Sequence, residues 1–521
     1  MTQTAETNIV DTLQSLTIAF ALAMAVRSFV TEGFVIPTGS MAPTLLGAHV
    51  EFWSPQTGYS YPFDAGPLAE ANLNDTPRIY DPMLSTTQAL FTVSPKDLAR
   101  QVRHGDRVLV LKYLYAFFEP KRWDVVVFKN PPDPVGDYQN YIKRLVGLPN
   151  EQLLLLDGDV WTAPLGAPLS DFKVQRKPEY VQRAVWQPVH DSDFIPIDPK
   201  TLATSSLGRF LFQGPPWLGK DWDLTGRAYR HATAEPTILE WDSRRMPIDD
   251  FCAYNILRPG VEYPVSDIRV AAAIEADDPA ALQCELELSA RSHLFVWLIK
   301  DGNVTLSARR SETGDLVGSV TQPIELPPAG RACDLEFWHV DQTMSLWLNG
   351  REIARFEYDS WTPEDRARFS RNGLTIKQIR DRPVDHTSVT PPALAWKFRG
   401  SPVTLHRVRV DRDLYYRPDI LGPTNQLSSN GPILQGLAFA TDIDHPAQLK
   451  EDQFLMLGDN SAASRDGRLW GRPHPIVTKQ LGESDPFIVP RDLLLGKAWC
   501  VYFPSPLPGY VPDFGSLRFI R

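Results

Sequence analysis

Two side chains far apart in this sequence could together make a nucleophile. Ser40 stands in Phe-Val-Ile-Pro-Thr-Gly-Ser-Met-Ala-Pro-Thr-Leu, residues 34–45, where Pro37, Gly39 and Pro43 punctuate the backbone around one hydroxyl. By itself such a segment reads as an ordinary turn with a solvated serine. A serine attacks a carbonyl only when a base takes its proton, and no histidine stands near it in a triad pattern. Lys143 lies in Asn-Tyr-Ile-Lys-Arg-Leu-Val-Gly-Leu, residues 140–148. Strand alternation there puts Tyr141, Lys143 and Leu145 on one face and Ile142, Arg144 and Val146 on the other. If both faces are covered, neither cation can be casually solvated. An apolar pocket disfavours the ammonium form and so makes a lysine a base. The other reading of Lys143 is an edge-strand lysine with its ammonium in water. A third stretch, Gly-Asp-Asn-Ser-Ala-Ala-Ser-Arg-Asp-Gly-Arg-Leu-Trp-Gly at 458–471, brings further hydroxyl, carboxylate and guanidinium groups.

These groups must be positioned by a long chain. At roughly 150 residues per domain, 521 residues predict about three units. A hydrophobic fraction of 43% can bury a core, and a net charge of −10 argues against a nucleic-acid binder. The 46 prolines, 14 tryptophans and short alternating apolar runs predict a mostly β protein. Residues 9–30 are mostly apolar and reach the ~20 residues of a membrane-crossing helix. Asp11 and Arg27 lie near its ends, and no Lys or Arg precedes Arg27, so a retained single-pass anchor is expected over a cleaved signal or a core helix.

Strands are expected at 105–112, 123–129 and 140–148, then a hairpin at 153–163 turning on Asp157 and Gly158. The pattern loosens until about residue 265. Short strands then recur at 268–274, 283–288, 294–299, 303–309, 334–340 and 343–348, with Asn349-Gly350 as a hairpin turn and 404–411 as a closing strand. Even spacing of this kind suggests a β-sandwich. Much of 51–100 and 418–446 reads as loop, and 453–456 and 492–502 as returning strands. Cys252, Cys284, Cys333 and Cys500 show no CxxC spacing and the histidines no HExxH pattern, so no metal site is expected. A Cys284–Cys333 disulfide and free buried thiols both remain open.

The three chemical stretches, in this order behind an apolar helix, resemble the boxes of type I signal peptidases, the membrane-anchored Ser/Lys proteases that remove signal peptides from exported proteins. Residues 105–112 and 123–129 resemble that family's strand box, although the family usually has Gly where Trp123 stands. The resemblance covers about half the chain, roughly 9–160 and 413–510. It implies Ser40 as nucleophile and Lys143 as general base. It implies an oxyanion hole from the Ser40 N–H and the Thr38 hydroxyl, and Ser464 as the hydroxyl orienting the lysine. Asp466 and Arg468 would support that serine, and Phe34, Ile36, Tyr141 and Ile142 would line a cleft selecting Ala-X-Ala sites. No cofactor is implied. The implied partners are signal-peptide-bearing preproteins, membrane lipid and secretion machinery. The implied place is the cytoplasmic membrane, with the catalytic domain on its extracytoplasmic face.

The final box departs from the family at Ser461, Ala462 and Ala463, and the distance from Lys143 to Gly458 exceeds what a family core needs. The expected division is therefore an anchor at 1–31, a catalytic core in two parts at 32–160 and 413–521, an irregular or β insertion at 161–264, and a β-sandwich at 265–412. The sandwich resembles concanavalin-like jelly rolls through Leu-Glu-Phe-Trp-His-Val-Asp at 335–341 and Leu-Trp-Leu-Asn-Gly at 346–350. A glycan or protein ligand would suit it, although Trp338 and Trp347 also read as core residues. Two rival readings remain. One is a membrane-tethered binding module on an inactive core. The other is a self-cleaving Ser/Lys repressor-type protease, against which the anchor and acidic charge count.

Overall fold

A computed structural model describes residues 9–66, 78–79, 81–84, 91–92, 101–134, 140–198, 214–255, 262–370, 389–421, 436–505 and 513–521. Parts of the stretches read as loop at 51–100 and 418–446 lie outside these residues. The N-terminal helix Ile9–Ala25 continues through a wider turn, Val26–Val30. Its segment Asp11–Val30 has a mean hydropathy of 1.6, with none of that length buried against the rest of the chain. Leu13, Leu16, Phe20 and Leu22 all project outward. Such a helix is long and apolar enough to cross a membrane.

The helix runs into strand Thr31–Val35, the edge of an antiparallel sheet. Next come Arg107–Leu111, Leu494–Phe503, Val125–Lys129, Asn140–Gly147, Gln453–Leu457 and Val489–Pro490. Four of these strands precede residue 150 and three follow residue 450, so sheet closure brings the two ends of the chain together. The strand expected at 492–502 sits in the sheet interior, between Arg107–Leu111 and Val125–Lys129. The hairpin Glu151–Leu156/Asp159–Pro164 turns where expected. Asp157 (φ 52°) and Gly158 (φ 90°) both take the left-handed conformation that a two-residue hairpin needs.

Trp123 also lies in the left-handed region, at φ 77°. A bulky side chain pays roughly 1–2 kcal/mol there. The ring is 4% exposed, and Lys177 Nζ from the following segment lies 5.4 Å from its centroid, so burial and a cation–π contact offset the strain.

Two antiparallel sheets form the expected sandwich. One contains Val403–Arg412, Ile268–Ala276, Cys333–Val340, Thr343–Leu348 and Arg351–Glu357; the other contains Ala393–Arg399, Gln283–Ala290, His293–Lys300, Asn303–Arg310 and Leu316–Pro323. Trp297, Phe337, Trp396 and Leu346 fill the space between them. The Trp297 indole donates across to the Ser345 carbonyl at 3.0 Å. Asn349 (φ 48°) and Gly350 (φ 75°) make the expected turn.

The sandwich takes in more chain than the sequence suggests. Gln187–Asp191, Trp222–Asp223 and Tyr229–His231 join the first sheet, and Trp217–Leu218 and Thr237–Trp241 join the second. Three of these five strands have only two or three residues and leave no periodicity to read.

A buried charge cluster fastens the 157–159 hairpin to the sandwich. Arg291 Nε donates to Asp157 at 2.7 Å, Arg366 Nη2 to Asp159 at 2.7 Å, and Lys177 Nζ to Asp341 at 2.5 Å. Lys177 also lies 2.8 Å from Asp413. The oxygens of Asp159, Asp267 and Asp341 approach within 4.8 Å of one another, with Lys177 and Arg366 supplying the opposite charge.

Candidate functional site

Ser40 occupies a single tight turn, Gly39–Met41, entered from an extended Thr38 (φ −128°, ψ 158°). Met41 and Ala42 are fully buried beneath it and fix the turn to the core. The lysine strand Asn140–Gly147 is paired by Val125–Lys129 along residues 140–144 and by Gln453–Leu457 from Arg144 to Gly147. The reading of Lys143 as a lysine with its ammonium in water does not hold, because the side chain is buried. Alternation behaves as expected: Tyr141 and Leu145 pack with Phe128 and Trp470, and Ile142 packs on the opposite side with Val108 and Val125.

Lys143 is 3% exposed, and its Nζ donates to Ser40 Oγ at 2.5 Å. Burial pulls the ammonium down to about 8 from 10.5; Asp466 and Asp459 partly hold it up, and Arg468 pushes it further down. About one lysine in ten is then neutral at pH 7 and most are neutral at pH 9. A reaction that uses Lys143 as base is expected to speed up about tenfold between pH 7 and pH 9 and then level off. The pH dependence of kcat/KM for peptide cleavage checks this, and a flat profile would count against it.

Residues 458–471 form the wall behind the pair. Asp459 accepts from Arg144 Nε (2.8 Å) and Nη2 (2.7 Å), with both side chains fully buried, and Thr44 Oγ1 donates to the same carboxylate at 2.5 Å. Asp459 thus ties the lysine strand to the segment carrying Ser40. Asn460 N–H donates to the Ser40 carbonyl and Asn460 Nδ2 to the Gly39 carbonyl, each at 3.1 Å. Asp466 takes two bonds from Arg468, each 2.9 Å, and one from Gly458 N–H at 3.0 Å. Arg468 also donates to Ser461 Oγ at 2.9 Å, so the departure at Ser461 is absorbed into the network.

Ser464 is buried in this wall, and among the described residues its Oγ has no hydrogen-bond partner. A Cβ at Gly458 would come within 2.1 Å of that oxygen and 2.5 Å of the Ser40 carbonyl. Only glycine lets the wall approach the turn so closely.

A cleft of about 320 Å³ opens beside Ser40, lined by Pro37, Thr38, Tyr141, Ile142, Lys143 and Arg465 among others. Of the four residues that the resemblance implies for the cleft, Tyr141 and Ile142 are in this lining. Phe34 and Ile36 are not among the lining residues. Ile36, 2% exposed, packs in the core with Val108 and Val110, and the half-buried Phe34 packs against the same cluster. Arg144, Asp459 and Asn460 carry contacts that the sequence reading did not assign. Arg144 on an apolar strand required a buried carboxylate, but the spacing could not choose between Asp459 and Asp466. All four cysteines are free thiols. Trp338 and Trp347 are buried together with Trp186 and form no exposed sugar platform.

Comparison with known proteins reaches part of this site: the family match includes Lys143 but neither Ser40 nor residues 458–471. Residues 84–185 match the family described as signal peptidase, peptidase S26. The signal peptidase I of Rickettsia typhi is 27% identical over 162 residues, which cover 31% of this chain and 44% of that protein. The signal peptidase I of Leptolyngbya laminosa is 25% identical over 182 residues, 34% of this chain and 60% of the relative. The chain thus spans about half the length of the curated relatives it matches. Similar solved structures include the Caenorhabditis elegans galectin LEC-6, at 15% identity and TM-score 0.19, covering 30% of this chain and 91% of that one. The carbohydrate-binding module CBM66 from Bacillus subtilis reaches 8% identity and TM-score 0.23, covering 38% and 97%. Scores this low make neither a template for this chain.

Proposed function

We propose that this chain, a relative of the type I signal peptidases, is a membrane-anchored serine endopeptidase that removes signal peptides with a Ser40/Lys143 dyad. The observation that carries the reading is the 2.5 Å contact between Ser40 Oγ and a buried lysine whose ammonium is lowered to about 8. Neutral Lys143 accepts the hydroxyl proton as Ser40 Oγ attacks the scissile carbonyl carbon. The oxyanion is held by the Ser40 N–H and the Thr38 hydroxyl, donors of a kind commonly worth about 3 kcal/mol each. Lys143 then gives its proton to the departing amine. In the second half-reaction it takes a proton from water, which hydrolyses the acyl-enzyme and frees Ser40. Ser464, buried behind the turn with a hydroxyl that has no partner among the described residues, is the proposed lysine-orienting group. Asp466 and Arg468 hold that wall.

The cleft, where Ile142, Tyr141 and Ala463 make an apolar part of a lining that also holds Asp64, Asn140 and Arg465, suits small side chains such as those of an Ala-X-Ala site. Position supports a membrane-bound substrate. Ser40 follows the apolar helix by ten residues, at most about 35 Å of extended chain. Signal peptides lie in the same bilayer, and their cleavage sites emerge on the extracytoplasmic face, where the catalytic domain is accordingly placed. The test uses the full chain in detergent with a preprotein bearing an Ala-X-Ala site and reads the product masses. Cleavage after the second alanine is expected, and an uncut preprotein under conditions where the chain is folded would overturn the reading.

A further inference from the structure

The long insertion does not merely hang from the catalytic sheet. One of its segments, residues 252–255, returns to the nucleophile turn. Cys252 and Tyr254 form an apolar cluster with Ala42 and Leu46, which flank the Ser40 turn. The Tyr254 ring lies directly against Gly39, where an added Cβ would come within 2.1 Å of Cε1. The Tyr254 carbonyl accepts from Asp64 N–H at 2.8 Å.

Beside it, Asn255 and Asn460 form a reciprocal amide pair. Asn255 Nδ2 donates to Asn460 Oδ1 at 2.9 Å, and Asn460 Nδ2 donates to Asn255 Oδ1 at 2.8 Å. Both side chains are buried. The second Nδ2 hydrogen of Asn460 goes to the Gly39 carbonyl. A flipped Asn460 amide would set its oxygen against that carbonyl, so only one orientation is tolerable. Asn255 is complementary to that orientation, and without it one donor and one acceptor of Asn460 lie buried and unpaired. The segment is itself anchored from the returning chain: Arg412 Nη2 donates to the carbonyls of Asp250 and Phe251 at 3.0 and 2.9 Å.

We infer that Tyr254 and Asn255 are positioning residues for Ser40, acting through Gly39 and Asn460, so that the insertion is a working part of the peptidase site. The inference rests on the peptidase reading for its effect on rate, but not for its effect on the turn. The experiment compares the full chain in detergent with Asn255→Ala, Asn255→Asp, Asn460→Ala and the Asn255→Ala/Asn460→Ala double variant. Cleavage kinetics are read on an Ala-X-Ala preprotein, and hydrogen exchange on residues 38–46.

In Asn255→Ala, kcat is expected to fall about 10-fold or more with KM within twofold, as loss of nucleophile positioning implies. Exchange in the turn is expected to quicken about tenfold while the sandwich stays protected. The double variant is expected to be no worse than Asn460→Ala alone, since the two act as one unit. Asn255→Asp keeps the shape, loses the bond donated to Asn460 Oδ1, and should show the same direction of change if Asn255→Ala folds poorly. Unaltered exchange at 38–46, or a kcat within twofold of the unsubstituted chain, overturns the inference. An unsubstituted chain that fails to cleave counts against the peptidase reading only, because the exchange comparison still decides whether Asn255 holds the turn.

Discussion

Replacing Lys143 by alanine is expected to lower kcat/KM for preprotein cleavage by about three orders of magnitude or more, with the fold intact. Ser40 then loses the group its hydroxyl touches: among the described residues no histidine lines the cleft, Asp459 and Asp466 are engaged by Arg144 and Arg468, and Asp64, the carboxylate in the lining, accepts from Gly66 N–H. A nucleophile and its base act as one unit, so Ser40→Ala and the double variant should be no more inactive than Lys143→Ala. Stability moves the other way. Below pH 8 Lys143 is protonated in both the folded and unfolded chain, and the folded state bears the full cost of burying the charge. Between about 8 and 10.5 the unfolded state holds more protons, so stability rises with pH as that cost fades. The fall from 10.5 to about 8 corresponds to roughly 3 kcal/mol. Lys143→Met, which keeps the volume without the charge, should therefore be inactive yet no less stable than the parent at pH 7. Cleavage assays and thermal midpoints on the same preparations check both halves. An active Lys143→Ala chain would remove the dyad from consideration.

The second large effect is on folding. Asp459→Ala leaves the Arg144 guanidinium fully buried without its bidentate carboxylate and removes the acceptor of Thr44. Breaking a buried pair from one side costs about 3–5 kcal/mol, because the surviving charge has lost its partner. The damage should centre on the catalytic sheet, since Arg144 pairs with Val125 on one side and Leu457 on the other. Removing both charges, as in Arg144→Met/Asp459→Leu, is expected to recover most of the loss. Denaturant midpoints of the two variants are the measurement. An Asp459→Ala chain within about 1 kcal/mol of the parent would mean that the pair is not needed.

What could be read without a structure was local. A hydroxyl on a Pro/Gly turn, a lysine inside an apolar strand and a polar box near the end were legible because each is carried by consecutive residues. So were the turns at Asp157-Gly158 and Asn349-Gly350, where the left-handed conformation dictates residue type. The apolar helix was legible from length and composition alone.

Tertiary structure decided the rest, because it rests on contacts that no local pattern encodes. Only the folded sheet and the wall at 458–471 buried Lys143 instead of leaving its ammonium in water. Only packing matched Arg144 with Asp459 across 315 positions and drew Ile36 into the core. The two-residue strands that complete the sandwich exist because longer neighbours supply their hydrogen bonds. The sequence by itself determined which groups could do chemistry. The distance, burial and charge that let them do it depended on residues hundreds of positions apart, and only the folded chain brings those together.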